Sequence, residues 1–378
     1  MSSATIDSVE TICLTAPLDE PFGYSQAWVE TRSALLVRIE TSDGTVGWGE
    51  CWGPIAGSRE TIDDLLADLV VGEDPMRAER LYDRMYDACR AAYQSVVPLP
   101  AISGVDLALW DLKAKLLGVP VSALLGGRNR EATRAYATGH YFKPVEDIET
   151  QYRLITEEAT NNADLGAVKL KVGLAQLGYG PAEDVELVRR VRSALDGETE
   201  IMVDANYAYS RPTARSVGEQ LAALDVRWFE EPVRPEDIEG YAELRGNLSV
   251  PIAGGECHTP TELDRLFDTG GVDVAQPDLC NVGGFTAARR IADRIRGYDS
   301  VEIVPHVWGT PVAIAASLQY IATLESDAPL EFDRSPNPLR EALATQELVS
   351  GDGRVHIPDR PGLGVDIDVS AIEQYRTE

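Results

Sequence analysis

Seven ionisable residues recur through the last two-thirds of the chain at intervals that fit one repeated folding unit: Lys171, Asp204, Glu230, Glu256, Asp278, His306 and Glu331. Successive differences are 33, 26, 26, 22, 28 and 25 residues, each about the length of one strand, one helix and two loops. Apolar, β-branched-rich runs lead into most of them: AVKLKV (167–172), EIMVDAN (200–206), VRWFEEP (226–232), PIAGGE (251–256), VDVAQPD (272–278) and VEIVPH (301–306). Such runs fit strands buried on both faces, as a parallel sheet requires. Amphipathic stretches at 183–195, 213–224, 260–268 and 285–296 separate them. With RAYATG (134–139) in front and LEFD (330–333) behind, the count reaches eight strands. The fold class expected is therefore α/β, a (β/α)8-type TIM barrel with its chemistry at the C-terminal ends of the strands.

The barrel leaves the first third unexplained. Residues 1–128 read as an α+β capping domain: SALLVRIET (33–41) and TVGWGEC (45–51) are strand-like and joined by a Ser-Asp-Gly turn signal, and helical patterns follow at 59–71, 76–92 and 100–117. The barrel is assigned to 129–334. The tail, 335–378, has no further repeat and is expected to return to the capping domain, with a turn and strand in GDGRVHIP (351–358). The N-terminal MSSATIDSVE lacks a signal peptide's basic and apolar regions, and no stretch of about 18 apolar residues occurs, so a cytoplasmic protein is expected. Five cysteines without CxxC spacing suggest neither a disulfide framework nor a zinc knuckle. A net charge of −28 (34 basic against 62 acidic residues) argues against nucleic-acid and membrane partners.

Asp204, Glu230 and Glu256 end three consecutive expected strands. Single acids at strand ends cap helices or pair with arginines, but three converging on one mouth repel unless a cation lies among them. All-oxygen ligands point to Mg²⁺, with Mn²⁺ as a substitute, well before Zn²⁺. Lys169 and Lys171, spaced i, i+2, point to the same side of their strand. Two of only five lysines sit here, which suggests proton transfer that arginine cannot perform. Repulsion between them and a nearby cation is expected to lower the proton affinity of Lys171, making it a base. Asp278 beside His306 would fix the imidazole tautomer and raise its basicity, a second acid/base. Asn206 and His140, just past their strands, are candidate substrate contacts.

Taken together, Lys-x-Lys, Asp-x-Asn, Glu-Glu-Pro, Gly-Gly-Glu, Gln-Pro-Asp followed by Val-Gly-Gly, Pro-His and Glu-Phe-Asp resemble the enolase superfamily, specifically its mandelate racemase subgroup, over essentially the whole chain. YATG (136–139), QPDLCNVGGF (276–285), IVPHVWGT (303–310) and EFDRSPNPLR (331–340) are most similar to galactarolactone and anhydrogalactonate cycloisomerases. The resemblance implies Asp204, Glu230 and Glu256 as Mg²⁺ ligands, Lys171 (with Lys169 nearby) and the His306–Asp278 pair as opposed catalytic groups, and Glu331 as hydrogen-bond donor to the substrate carboxylate. It implies that loops around PFGYSQAW (21–28) and GECWGP (49–54) close over substrate, with Tyr24 and Trp52 as candidate contacts. The implied activity is proton abstraction next to a carboxylate with β-elimination from a sugar acid or its lactone; dehydration and racemisation or epimerisation are the alternatives. A homo-oligomer is also implied.

Arginines number 29 against the five lysines, and an acid-rich, lysine-poor surface suits work in high salt, where screening tolerates self-repulsion. Thermal unfolding in increasing KCl is expected to show a midpoint that rises up to molar concentration. A protein that is most stable and active at low salt would contradict the halophilic reading.

Overall fold

β-Branched and aromatic residues between Ile6 and Thr41 build one long hairpin in the computed structural model: β1 (Ile6–Gly23) pairs antiparallel with β2 (Trp28–Thr41), and β3 (Val46–Cys51) covers the other edge of β2. The structure describes residues 4–94, 96–298, 300–346, 349 and 353–377. Gly351 and Asp352 of the expected tail turn, and Met1 to Ser3 of the N-terminus, lie outside these. The hairpin is longer than the short strands expected because a register shift between Pro17 and Phe22 absorbs two prolines without ending the pairing. Its tip carries Tyr24 beyond the edge of its own sheet.

One helix joins this sheet to the rest. Leu99–Leu117 is apolar on nearly all sides, so it must be enclosed all round. Gly118, left-handed at φ 69°, ends it. On one side β3 lies so close that a Cβ on Gly49 would stand 1.9 Å from the Gly104 carbonyl oxygen. On the other, Asp106 accepts hydrogen bonds from the Thr286 amide (2.9 Å) and hydroxyl (2.6 Å), and the Trp110 indole donates to Thr286 Oγ1 at 2.9 Å. Thr286 belongs to the helix Gly284–Ile295 of the second layer.

That layer surrounds a curled parallel sheet of β4 (Ala132–Thr138), β5 (Ala167–Lys171), β6 (Glu200–Asp204), β7 (Val226–Glu230), β8 (Ile252–Gly254), β9 (Val274–Ala275), β10 (Glu302–Ile303) and β11 (Leu330–Asp333). Their order is β10-β9-β8-β7-β6-β5-β4-β11, so the last strand returns to the first. A helix follows each strand, the last only Pro338–Ala342. The fold is a (β/α)8-type barrel capped by an α+β unit. The ladders of β9 and β10 are shorter than their apolar runs, because Pro277 and Pro305 have no N–H to extend them. β12 (Arg354–His356) pairs antiparallel with β4, after which Leu363 N bonds Asp111 Oδ1 at 2.7 Å and Arg376 bridges Leu14 of β1, so the tail touches both layers. Among the described residues no helix is long and apolar enough to cross a membrane.

The Gly49 contact leaves no room for a methyl group. Gly49→Ala is expected to lower unfolding stability by about 3 kcal/mol, read from the urea midpoint. An unchanged midpoint would contradict the packing described.

Candidate active site

Period-two alternation places the charges. Tyr136, Ala167, Met202, Trp228, Ala253, Val274 and Val304 form a buried cluster separate from the main core. Two positions after four of these come Lys169, Asp204, Glu230 and His306, so strand geometry raises each charged side chain above this apolar group, toward the C-terminal mouth. Beyond Asp204 and Glu230 the chain turns sharply: Asn206, Tyr207 and Glu231 have φ of 41°, 53° and 41°. Left-handed backbone at non-glycine residues costs about 1 kcal/mol or more each, and here it follows directly on the candidate ligands.

The mouth is a network of opposite charges. Lys169 is fully buried, with Nζ 2.6 Å from Glu230 Oε1 and 2.6 Å from Glu331 Oε1. Lys171 Nζ donates to Asp204 Oδ2 at 2.5 Å and to Asn206 Oδ1 at 2.9 Å. The second oxygen of Glu230 accepts from Trp228 Nε1 (2.9 Å) and Gln276 Nε2 (2.7 Å). His306 joins Asp278 Oδ2 through Nδ1 at 2.7 Å and faces Glu256 Oε2 through Nε2 at 3.3 Å.

These pairings set the protonation states. Burial alone would favour neutral His306, but Glu256, Glu331 and Asp278 raise it to about 10. Burial also pushes Lys171 toward neutrality, and Asp204 more than reverses it, leaving the ammonium with a raised pKa. Among the protein's own groups, the lysine neighbour is outweighed by a carboxylate in direct contact. Glu331 is governed by the same balance. Burial raises its carboxyl, but Lys169 and His306 together bring it below its usual range, and it accepts a bond from Val307 N at 3.2 Å. Glu230, enclosed and surrounded by other acids, rises to about 7.

Asp204, Glu230 and Glu256 each offer an oxygen within 4.8 Å of the others. Glu256 Oε2 is buried and makes no hydrogen bond, its one charged neighbour being His306 Nε2 at 3.3 Å, so it keeps acceptor capacity that the protein does not fill. A hard divalent cation fits this donor set. Glu231, Glu256 and Cys257 form a second such group. Burial and the neighbouring Glu256 push the Glu231 carboxyl far up.

The cap completes the site. Gly23 and Phe142 exchange backbone hydrogen bonds at 2.9 and 2.8 Å, and Ser25 Oγ donates to the carbonyls of Ala205 (2.8 Å) and Asn206 (3.0 Å). The β1–β2 tip is thereby fixed over β6. Arg32 of β2 lies over the rings of Phe22 and Trp308 at 4.7 and 4.9 Å and bonds Asp333 Oδ2 at 2.8 Å. Beneath the tip is a cavity of about 140 Å³ whose walls include Tyr24, Trp52, Lys171, Asn206, Glu256, His306 and Glu331.

Of the residues singled out in the sequence, His140 is not brought to this cavity. It is fully buried, with Nδ1 2.8 Å from the Lys169 carbonyl and Nε2 3.2 Å from Asn162 Nδ2. Both ring nitrogens are occupied by protein, so it supports β5 from behind. Sequence reasoning missed Thr138, Tyr141, Tyr207, Cys257 and Trp308, which also line the cavity. Four of them, Tyr141, Tyr207, Cys257 and Trp308, lie one or two positions after His140, Asn206, Glu256 and His306, a proximity signal present in the sequence.

Residues 154–371 match the enolase C-terminal domain-like family and residues 7–126 the mandelate racemase/muconate lactonizing enzyme N-terminal domain. The chain is 38% identical to the D-galactarolactone cycloisomerase of Agrobacterium fabrum over 98% of either chain, and 33% identical to the arabinonate dehydratase of Saccharolobus solfataricus over 90% of either. The crystal structure of the 3,6-anhydro-D-galactonate cycloisomerase from Zobellia galactanivorans superposes with a TM-score of 0.88 at 36% identity, covering 99% of this chain and 100% of that one. The capped barrel, the charged mouth and these matches make the chain an enzyme of the enolase superfamily, in its mandelate racemase subgroup.

Proposed function

We propose that this enzyme removes the proton next to the carboxylate of a sugar acid or its lactone and expels the oxygen on the next carbon, giving a 2-keto-3-deoxy acid. The observation that carries the reading is that Lys171 of β5 and His306, just past β10, line one cavity with Asn206 and Glu331, although β5 and β10 are five places apart in the strand order. A substrate between them has a proton-transfer group on each face. The relatives' names support the substrate class: a galactarolactone cycloisomerase and an arabinonate dehydratase both handle sugar acids.

Lys171, oriented by Asp204 and Asn206, takes the α-proton; His306, its Nδ1 held by Asp278, presents Nε2 to the opposite face and returns a proton to the leaving oxygen. Glu331 keeps Lys169 and His306 positively charged, and these cations stabilise the enediolate as negative charge builds on it. Asp204, Glu230 and Glu256 are the residues that would hold Mg²⁺, which would neutralise the substrate carboxylate and the charge that otherwise fixes the Lys171 proton. The same opposed pair permits epimerisation when no oxygen leaves, which is the second reading.

Replacing Lys171 by Ala, or His306 by Asn, is expected to lower kcat for keto-deoxy acid formation by about 1,000-fold or more, measured on a panel of aldonates, aldarates and their lactones with Mg²⁺. Either variant turning over the best substrate at a near-parental rate would remove that residue from the mechanism.

A further inference from the structure

We propose that Glu231, Glu256 and Cys257 form a second metal site, selective for a thiophilic divalent ion such as Zn²⁺ or Cd²⁺, and that filling it draws Glu256 away from Asp204 and Glu230. Each of the three offers one ligand atom within 4.8 Å of the others. Glu231 is fully buried, and the proton transfers do not use it. Its Oε1 has no hydrogen-bond partner, while its Oε2 takes a long bond, 3.4 Å, from Asn206 Nδ2. The cation set of Asp204, Glu230 and Glu256 does not include Glu231, so that set leaves the open oxygen unexplained.

The backbone brings these groups together. On a regular strand Glu230 and Glu231 would point to opposite faces. The left-handed residue Glu231, at φ 41°, breaks that alternation, and both carboxylates come within reach of Glu256. Cys257 then follows Glu256 directly in the chain. Sulfur decides the ion: an all-oxygen set suits Mg²⁺ and Mn²⁺, whereas a thiolate selects softer ions. On binding, the Cys257 S–H proton goes to water and a sulfur electron pair forms the S–metal bond, with no change of oxidation state. Three protein ligands leave a tetrahedral ion one place for water.

The site has its own entrance. Cys257 and Tyr207 line both the cavity under the hairpin tip and an adjoining groove of about 850 Å³. Glu236 and Glu262 stand beside Arg234 in that groove, on a chain whose net charge of −28 draws cations. Cys13, Cys51, Cys89 and Cys280 are buried and Cys257 is partly exposed, so Cys257 is the thiol that an incoming ion meets. Because Glu256 belongs to both sets, an ion in one weakens the other, and by reciprocity the factor is the same in both directions. This coupling rests on the cation reading of the first set.

Cadmium added to the full-length enzyme, stripped of metal, tests the site through the ultraviolet absorption of the cadmium–thiolate bond. The wild-type chain should develop the band, Cys257→Ser should lose it, and Glu231→Gln should keep it with weaker binding. No band in the wild-type chain, a band that survives in Cys257→Ser, or an affinity unchanged in Glu231→Gln overturns the site. Should a variant not fold, anomalous diffraction from cadmium-soaked wild-type crystals decides: a peak between Cys257 and the two glutamates supports the site, and its absence there overturns it. The coupling is read from Mn²⁺ paramagnetic resonance, since Mn²⁺ favours the all-oxygen set. Cadmium should weaken Mn²⁺ binding about tenfold more in the wild-type chain than in Cys257→Ser, and equal weakening in the two overturns the shared use of Glu256. If Mn²⁺ binds neither protein, the cation reading of the first set fails, and the cadmium band still decides the second.

Discussion

Lys169 is enclosed completely, and its ammonium lies 2.6 Å from carboxylates on two other strands, Glu230 of β7 and Glu331 of β11. The rest of the mouth depends on this buried pairing. Removing one member of such a set leaves a charge without water or counter-charge, which costs about 3–5 kcal/mol. A well-packed apolar substitute could hold the barrel as firmly, so the pairing is better understood through what it enforces. It fixes Glu230 beside Asp204 and Glu256, and it keeps Glu331 ionised near His306.

Burial makes that arrangement effective. The apolar group around Met202 and Trp228 supports the charges from below, and the β1–β2 tip, bonded to Phe142, Ala205 and Asn206, covers them from above. Between those layers an ion pair acts with little screening. The left-handed residues after Asp204 and Glu230 turn the chain away once each carboxylate is delivered. Cap and barrel are thus joined where the chemistry is, through the Arg32 contacts with Phe22, Trp308 and Asp333.

Much of this was legible in the residues. The interval between charged positions and the apolar run before each one identified the barrel, because a strand has a period of two and a βα unit has a nearly fixed length. Less visible was anything decided by pairing across the chain. Pro17 and Pro21 disguise the extent of β1, which only its register with β2 establishes. His140 resembles a site histidine until its partners, the Lys169 carbonyl and Asn162, are known. For Lys171 the neighbouring lysine is obvious from spacing, whereas the decisive carboxylate lies 33 residues on, at Asp204. The aromatic part of the cavity wall comes from several separated segments, among them Phe22, Trp52, Tyr141 and Trp308, and only the fold assembles it.

The central claim is that three acids at the mouth are a cation site flanked by two proton-transfer groups. Crystals grown with Mn²⁺ and measured at its absorption edge test it most directly. The account predicts one anomalous peak bounded by oxygens of Asp204, Glu230 and Glu256. No peak at the mouth, or one bounded instead by Glu231 and Cys257, would contradict it.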